Sequence, residues 1–340
     1  MMRQLAVLSC GPACTVQDTG RPGFLAQGVA RGGAADRLAL AEGAALLGQT
    51  TDHAALEMAG SGGTFEASGP LRIALTGAPM AASIDGTAIA WNASHHLPAG
   101  GILVIGGARS GTYGYLHVGG GIDTPRMMGA RAVHVGAGLG RPLHAGDTLP
   151  IGDDQGTGTG MALRPDTRFE GGDIRIIASL QTAMFDEKTR SAFAETTFVR
   201  DARANRMGVR LDGGRGFFAA DQLNILSEII VPGDIQIAGD GAPYILMADC
   251  QTTGGYPRIA TVLPCDLDRV AQTPAGAALR LRFVDLDTAA DIENRAAAAR
   301  AALPTQLYPL VRKPDDMRDL LSHEFIGGVV SATADPFEKD

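Results

Sequence analysis

Short apolar runs separated by turn residues dominate the chain after residue 56. They cover residues 71–75, 88–91, 102–105 and 113–118, and glycine, proline, aspartate or asparagine lies between them. Runs of this length, bounded by turn residues and repeated at roughly ten-residue intervals, are typical of antiparallel strands in a barrel or a sandwich. The pattern therefore predicts a mainly β fold.

Helical periodicity is confined to a few segments. Leucines and alanines of residues 38–47 fit a short amphipathic helix that ends at Gly48, and Asp36 precedes it as a candidate N-cap. A second helix is predicted over about residues 183–193. Residues 287–302 are alanine-rich, and Pro304 ends the helix that they favour. The polar tail that follows favours a further helix near residues 314–321, packed on the outside or against a partner.

A polar, glycine-rich and aspartate-rich stretch over residues 151–172 is the predicted domain boundary. It divides the chain into an N-terminal barrel-like half (1–160), a C-terminal barrel half (170–286) and a helical tail (287–340). Similar turns, Pro-Ala-Gly at residues 98–100 and again at 274–276, hint that the two halves are built alike.

Composition and charge exclude several classes of function. The net charge is −8 and the chain has no basic cluster, so nucleic-acid binding is not expected. No apolar run approaches the roughly 18 residues that span a bilayer, and the N-terminus does not fit a secretion signal. We expect a cytoplasmic protein with no membrane association.

Metal, thiol and nucleotide chemistry also find little support. The four cysteines lack the histidines that would complete a zinc site, so we expect no metal and four free thiols, with Cys250 buried rather than nucleophilic. Phosphate-binding, dinucleotide-binding and serine-nucleophile motifs are absent from the sequence. Any ATP chemistry would therefore require another chain.

The most distinctive stretch is residues 249–258, which we call the signature turn. It lies between apolar runs at residues 244–248 and 259–263, and it concentrates acid, amide, hydroxyl, phenol and guanidinium groups. Gly254 and Gly255 permit close backbone approach, and Pro257 fixes the exit direction. A polar hairpin loop would explain the composition, but a binding site held between two strands explains it equally.

The signature turn and seven other segments together resemble the sequence pattern of a known family. They are residues 15–21 (Thr-Val-Gln-Asp-Thr-Gly-Arg), 33–36 (Gly-Ala-Ala-Asp), 55–57 (Ala-Leu-Glu), 119–125 (Gly-Gly-Gly-Ile-Asp-Thr-Pro), 206–208 (Arg-Met-Gly), 227–228 (Ser-Glu) and 232–236 (Pro-Gly-Asp-Ile-Gln). In this order they are similar to the family that comprises the C component of 5-oxoprolinase, allophanate hydrolase subunit 2, KipA-like proteins and the biotin-dependent carboxyltransferase of urea amidolyase. The resemblance extends from Thr15 to Val284.

The resemblance implies two cyclophilin-like β-barrel halves with a few short helices. It implies a subunit of an ATP-dependent 5-oxoprolinase that hydrolyses 5-oxoproline to glutamate. Such an amidohydrolase subunit would be inactive without a KipI-like partner (the B component of 5-oxoprolinase, or allophanate hydrolase subunit 1) and a further subunit, and ATP would bind with or on those partners. Alternatives are the carboxyltransferase component of a urea or amide carboxylase, with biotin carried on another chain, and a non-catalytic regulatory module.

The chemistry of a lactam carboxylate suggests roles for the matching residues. A guanidinium suits the carboxylate, and amide and hydroxyl donors suit a developing oxyanion. We predict Arg258 or Arg206 on the carboxylate, Asp249 as an orienting acid, and a pocket shared by both halves. The other expected contributors are Gln251, Thr252 and Thr253 on the amide, Tyr256 on the pocket wall, and Asp18, Arg21 and Asp36 from the N-terminal half.

Four positions depart from the family pattern. Pro79 stands where the family's Gly-Ala-Asp segment has aspartate. Arg258 stands where the family usually has lysine, and it cannot transfer a proton at neutral pH. Asn205 replaces an aspartate, and Ala44 replaces an asparagine of the first helix. The exact substrate therefore stays open at this point.

Overall fold

The computed structural model describes residues 3–219 and 225–311. Strands dominate this part of the chain, which confirms the predicted mainly β class. Strands of the N-terminal half are β1 (Gln4–Cys10), β2 (Cys14–Gln17), β3 (Ala55–Ala59), β4 (Gly63–Ala67), β5 (Leu71–Gly77), β6 (Met80–Ile84), β7 (Thr87–Ile89), β8 (Ala93–Leu97), β9 (Ile102–Ala108), β10 (Tyr113–Val118), β11 (Thr148–Pro150) and β12 (Met161–Ala162).

These strands form two antiparallel sheets that enclose one core. One sheet has the order β11-β1-β4-β9-β6-β7, and the other begins β2-β3-β10-β5-β8-β12. Alternate side chains point inward, because successive residues of a strand face opposite sides. Leu5, Leu56, Phe65, Ile73 and Leu103 are completely buried between the sheets.

Helix α1 (Arg37–Leu47) packs against β5 and β10 of the N-terminal half. Asp36 caps its N-terminus by accepting the Ala39 N–H at 3.0 Å, as predicted, and Gly48 ends it with a left-handed φ of +60°. Gly43 lies against the His117 ring so closely that a Cβ there would be 2.3 Å from ring atoms. A glycine is therefore needed for this helix to contact its sheet.

The C-terminal half contains a closed barrel of seven strands within the described residues, in the order β13-β20-β17-β18-β15-β14-β21. Parallel pairing of β13 with β21 closes it. The strands of this half are β13 (Gly172–Ile177), β14 (Thr197–Ala204), β15 (Gly208–Asp212), β16 (Glu228–Ile229), β17 (Asp234–Ile237), β18 (Pro243–Leu246), β19 (Thr253–Gly254), β20 (Arg258–Val262) and β21 (Ala278–Phe283). Alternating apolar residues such as Ile174, Ile176, Leu279 and Leu281 fill the barrel.

Three helices cover the outside of this barrel. They are α2 (Glu187–Glu195), α3 (Leu267–Gln272) and α4 (Leu286–Ala301). Phe193 of α2 packs against Phe198 at a tilt and against Phe217 edge to face, with ring centroids 5.1 and 5.2 Å away, so an aromatic cluster anchors that helix. A short strand after α4, β22 (Tyr308–Pro309), pairs with β12 of the N-terminal half. The helix predicted near residues 314–321 lies outside the described residues.

The two halves share a continuous core. Ala34, Ala35, Tyr113 and Tyr115 of the N-terminal half belong to the same apolar cluster as the barrel interior. The side chain of Gln272 at the end of α3 adds polar contacts, since it accepts the N–H of Thr112 and donates to the carbonyl of Tyr113. The segment that joins the halves, around residues 151–171, therefore connects units that are packed firmly together.

The helices of the described residues include none that is long and apolar enough to cross a membrane. All four cysteines are free, as predicted, and Cys250 is 2% exposed. Burial raises the pKa of the Cys250 thiol to about 12, so it stays protonated at neutral pH.

Candidate functional site

The signature turn connects β18 to β20 and is anchored midway, where β19 pairs with β16. Its side chains divide between the interior and solvent. Asp249, Cys250 and Thr252 are buried, whereas Gln251 and Thr253 are exposed and Tyr256 is half exposed. The turn is thus a fixed part of the barrel wall, with only some of its polar groups available to a ligand.

Two cavities flank the segment that enters this turn. The first, of about 320 Å³, lies between the halves and is lined by Arg21, Arg31, Arg37, Phe24, Met247, Ala248 and Asp268, among others; we call it the arginine cleft. The second, of about 360 Å³, is lined by Asn205, Gln236, Tyr244, Gln251 and Tyr256, among others; we call it the amide pocket. Both have the size of a small-molecule site.

Arg206 connects the halves beneath the signature turn. Its guanidinium donates to Asp249 through Nε at 2.7 Å and Nη2 at 3.0 Å, and it pairs with Glu57 of β3 through Nη1. Nη2 also donates to the carbonyl of Gly33. Glu57 in turn accepts the Tyr115 hydroxyl at 2.6 Å. All three nitrogens of Arg206 already serve protein acceptors, so a substrate carboxylate could reach this guanidinium only by displacing one of them.

Arg258, at the end of the signature turn, also has all three guanidinium nitrogens bonded to protein acceptors. Nη2 pairs with Glu228, Nη1 donates to the carbonyl of Ile229 at 3.0 Å, and Nε donates to Gln181 at 3.3 Å. Asp234 lies 3.4 Å from Nη1. The guanidinium therefore joins β16, β17 and β20, and its predicted role on a substrate carboxylate stays a prediction.

Asp18 and Asp36, both predicted to contact substrate, lie in the protein interior. Asp18 accepts the N–H of Gly20 at 2.8 Å and that of Arg131 at 2.7 Å. Asp36 accepts from Arg168 at 2.8 Å and from Gln272 at 2.7 Å, in addition to capping α1. Both carboxylates thus hold loops and helices together behind the arginine cleft, whose lining includes neither of them.

Arg21 lies near Asp249 of the signature turn, and its predicted contact with substrate stays a prediction. It lines the arginine cleft next to Gly32, whose N–H donates to the carbonyl of Ala248 at 3.1 Å. The position that a Cβ would occupy on Gly32 is 3.3 Å from Nη1 of Arg21 and 3.4 Å from Oδ1 of Asp249. By contrast, Gln251 and Tyr256 face the amide pocket, so the structure divides the predicted residues between two cavities.

Arg31 and Arg37 line the arginine cleft and were not predicted from the sequence. Within the described residues neither guanidinium forms a salt bridge with a carboxylate. Burial and the nearby charge of Arg37 lower the pKa of Arg31. Like charges held close together favour an anion between them. Their only sequence signal is that they bracket the Gly-Gly-Ala-Ala-Asp segment at residues 32–36.

Asp268 is the acid in the wall of the cleft. One carboxylate oxygen accepts the Arg37 N–H at 2.8 Å, and the other has no hydrogen-bond partner in the described part of the chain. Burial and the nearby Asp36 raise the pKa of Asp268 to about 7, against the opposing charges of Arg168 and Arg37. The carboxyl group can therefore gain or lose a proton near neutral pH.

The arginine cleft thus combines three guanidiniums, one acid of raised pKa and an apolar wall, which suits a small anion with an apolar body. Residues 3–219 and 225–311 contain no cluster of histidine, cysteine, aspartate and glutamate that could hold a metal ion. The amide pocket offers mainly neutral donors and acceptors instead, together with the charged side chain of Arg203. These two environments meet at the residues that lead into the signature turn.

Comparison with known proteins gives one family and several relatives. The family described as "Carboxyltransferase domain, subdomain A and B" matches residues 27–283. The chain is 35% identical to the C component of the 5-oxoprolinase of Escherichia coli over 80% of its own length and 88% of that protein. It is 31% identical to the corresponding 5-oxoprolinase component of Haemophilus influenzae, over 85% of this chain and 94% of that one.

A solved structure supports the fold. The urea carboxylase of Kluyveromyces lactis superposes with a TM-score of 0.78 at 22% identity, covering 92% of this chain. The chain spans only 31% of that protein's length. At this level of identity the superposition concerns the fold, which agrees with the two-half arrangement described above.

Proposed function

Since the chain belongs to the carboxyltransferase-domain family (subdomains A and B), we propose that it is a subunit of a 5-oxoprolinase complex. The observation that carries this proposal is the 35% identity to the C component of a 5-oxoprolinase across 88% of that protein. A match of this extent includes both halves and the signature turn. The chain would thus be one component of a lactam hydrolase.

The proposed reaction is ATP-dependent hydrolysis of 5-oxoproline to glutamate. A lactam carbonyl is a poor electrophile, so transfer of a phosphoryl group from ATP to its oxygen creates a leaving group. Water then adds to that carbon, and the ring C–N bond breaks with protonation of the nitrogen, which leaves an acyl phosphate. A second water hydrolyses the acyl phosphate to glutamate and phosphate. The site must hold one carboxylate and stabilise charge that develops on oxygen. We assign ATP binding to the partner subunits, a KipI-like protein and a further subunit.

We place the substrate in the arginine cleft. Neither Arg31 nor Arg37 forms a salt bridge with a carboxylate of the described residues, so both suit the substrate carboxylate without loss of a protein ion pair. The ring lies against apolar side chains such as Phe24 and Met247. Asp268, with its raised pKa, is placed to exchange a proton with the reacting amide.

Reconstitution tests the proposal. The chain is purified with both partner subunits, and glutamate release from 5-oxoproline is measured with ATP, without ATP, and with this chain omitted. We expect release only from the complete mixture with ATP. Equal release without this chain, or a stable complete complex that never releases glutamate, would reject the assignment; the second outcome would favour a regulatory module.

The family description favours carboxyl transfer as the second candidate. In that reaction the carboxyl group would arrive on biotin carried by another chain and pass to urea or a related amide. The same complexes can be tested for carboxylation of urea with radiolabelled bicarbonate, ATP and a biotinylated carrier. Incorporation into urea without glutamate release from 5-oxoproline would replace the first proposal by this one.

A further inference from the structure

A further cavity adjoins the arginine cleft. It has a volume of about 300 Å³ and lies between α1 and the end of α4, to which Arg37 and Arg300 of its wall belong; we call it the side chamber. Four residues line the side chamber and the arginine cleft alike: Thr19, Arg37, Pro264 and Asp268. Because the two cavities share this wall, a ligand too long for one of them can extend into the other.

The side chamber has two guanidiniums without a partner in the described part of the chain. Arg37 is exposed and Arg300 is half-buried, and neither side chain forms a hydrogen bond or a salt bridge with the described residues. Asp268 is the one acid among the described residues that line this chamber. An anionic group could therefore bind both guanidiniums without breaking a protein ion pair.

The position of Arg300 is fixed by the segment that follows α4. Leu303 and Leu307 pack against the apolar cluster that contains Leu46 and Leu47 of α1, and β22 pairs with β12 of the N-terminal half. The last turn of α4 is thus held beside the first turns of α1. Residue 300 lies beyond residues 27–283, which the family model matches, so the family match assigns no role to this wall.

The shared wall carries an acid with one free oxygen. Asp268 is 5% exposed, and its Oδ1 accepts the Arg37 N–H at 2.8 Å. Oδ2 has no hydrogen-bond partner among the described residues and is still accessible from the cavities. A carboxylate oxygen that has lost most of its hydration gains from a donor, and an ammonium group beside it favours its ionised form. Along the joined cavities the charges therefore alternate, from Arg31 in the cleft through Asp268 to Arg300.

We propose that the arginine cleft and the side chamber together bind an open-chain dicarboxylic amino acid. One carboxylate lies at Arg31 and Arg37, the ammonium group donates to Oδ2 of Asp268, and the second carboxylate lies at Arg300. The order of charges in such a ligand, anion, cation and anion, complements the order of charges in the walls. A lactam with a single carboxylate occupies the cleft and leaves the chamber free.

Glutamate is the member of this class that the proposed reaction forms, and the inference rests on the proposed function for that identity. Opening of the lactam ring creates an amine and a second carboxyl group, which is first an acyl phosphate and then a carboxylate. Both forms of this chain end are anionic and suit the guanidinium of Arg300. With the amine held at Asp268 and the chain end in the side chamber, the two groups are kept apart, which hinders closure of the ring.

Ligand pairs test the two ends of this site. Glutamine replaces the second carboxylate of glutamate by a neutral amide of the same shape, and glutarate keeps both carboxylates but lacks the amino group. In calorimetry on the full chain, without ATP or partner subunits, glutamate should bind about tenfold more tightly than either. Equal binding of glutamate and glutamine would overturn the proposal.

Variants assign each preference to a residue. Arg300→Gln should weaken glutamate binding about tenfold and abolish the preference over glutamine, and Asp268→Asn should abolish the preference over glutarate. Arg295→Gln is the matched control, because Arg295 belongs to the same helix but is exposed and lines neither cavity. Each preference compares two ligands on one variant, so a smaller folded fraction would not change it. If Arg300→Gln keeps the wild-type preference, or if Arg295→Gln loses it equally, the chamber is not the site.

Activity of the reconstituted complex distinguishes this inference from the proposed function. If the complex releases glutamate from 5-oxoproline but the chain shows no preference for glutamate over glutamine, the site is wrong although the function stands. If the complex releases none while the chain binds glutamate with a preference that depends on Arg300, the site stands and the proposed hydrolysis fails.

Discussion

Replacement of Arg206 by glutamine should destabilise the chain by about 3–5 kcal/mol. The guanidinium is held between two buried carboxylates, Glu57 at 1% and Asp249 at 8% exposure, which belong to opposite halves. Without it, both carboxylates would remain inside the protein with no cation to neutralise them. The penalty for an unpaired buried charge exceeds what the ion pair itself contributes, so the loss should be large.

Arg203 provides the control. It makes a similar two-point contact with Asp201, but its side chain is 71% exposed. Arg203→Gln should therefore destabilise the chain far less than Arg206→Gln. Equilibrium unfolding in urea, followed by circular dichroism, gives both values from the shift of the midpoint at constant slope. If Arg206→Gln costs no more than Arg203→Gln, the inter-half ion pair does not stabilise the fold as argued.

Three further predictions follow from buried groups. Asp268 becomes anionic as the pH rises through about 7 and then repels a bound carboxylate, so the calorimetric Kd for 5-oxoproline should increase between pH 6 and 8 and should be flat in Asp268→Asn. Phe198→Ala removes the centre of the aromatic cluster, so its midpoint in urea should fall by an amount equivalent to about 3–5 kcal/mol, whereas a loss below 1 kcal/mol would contradict tight packing there. Cys250 should react with a thiol reagent only after unfolding, and Cys250→Ala should keep the activity of the reconstituted complex; rapid labelling of the folded chain would show that the thiol is accessible.

Much of the fold could be predicted from the sequence, because strands and turns have characteristic local patterns of residues. Short apolar runs indicated the strands, and Asp36 and Gly48 marked the ends of α1. Residue spacing alone could not show that the N-terminal half forms two sheets and the C-terminal half a closed barrel. That difference depends on which edge strands pair. Parallel pairing of β13 with β21, for instance, joins Gly172 to Leu279, which is distant in sequence.

The site was harder to predict than the fold, because its polar partners are distant in sequence. The signature turn was recognisable by composition, but nothing near Arg206 indicates that Glu57, on a strand of the other half, occupies part of its guanidinium. The same holds for Arg258, which pairs with Glu228 and Asp234. Conversely, nothing distinguishes Arg31, in a loop, or Arg37, at the start of α1, until the fold shows that they form no salt bridge with a carboxylate within the described ranges.

The way in which the halves meet explains why the family segments are spread along the whole chain. Arg206 holds both carboxylate oxygens of Asp249, and it is itself fixed by Glu57 and the carbonyl of Gly33. Arg21 and Gly32 come from the N-terminal half, whereas Asp249 and Arg206 come from the barrel. Neither half alone can form the arginine cleft, because residues of both halves line it. The buried ion pair is thus a condition for binding as well as for stability, and Arg206→Gln should weaken 5-oxoproline binding even at temperatures where the variant remains folded.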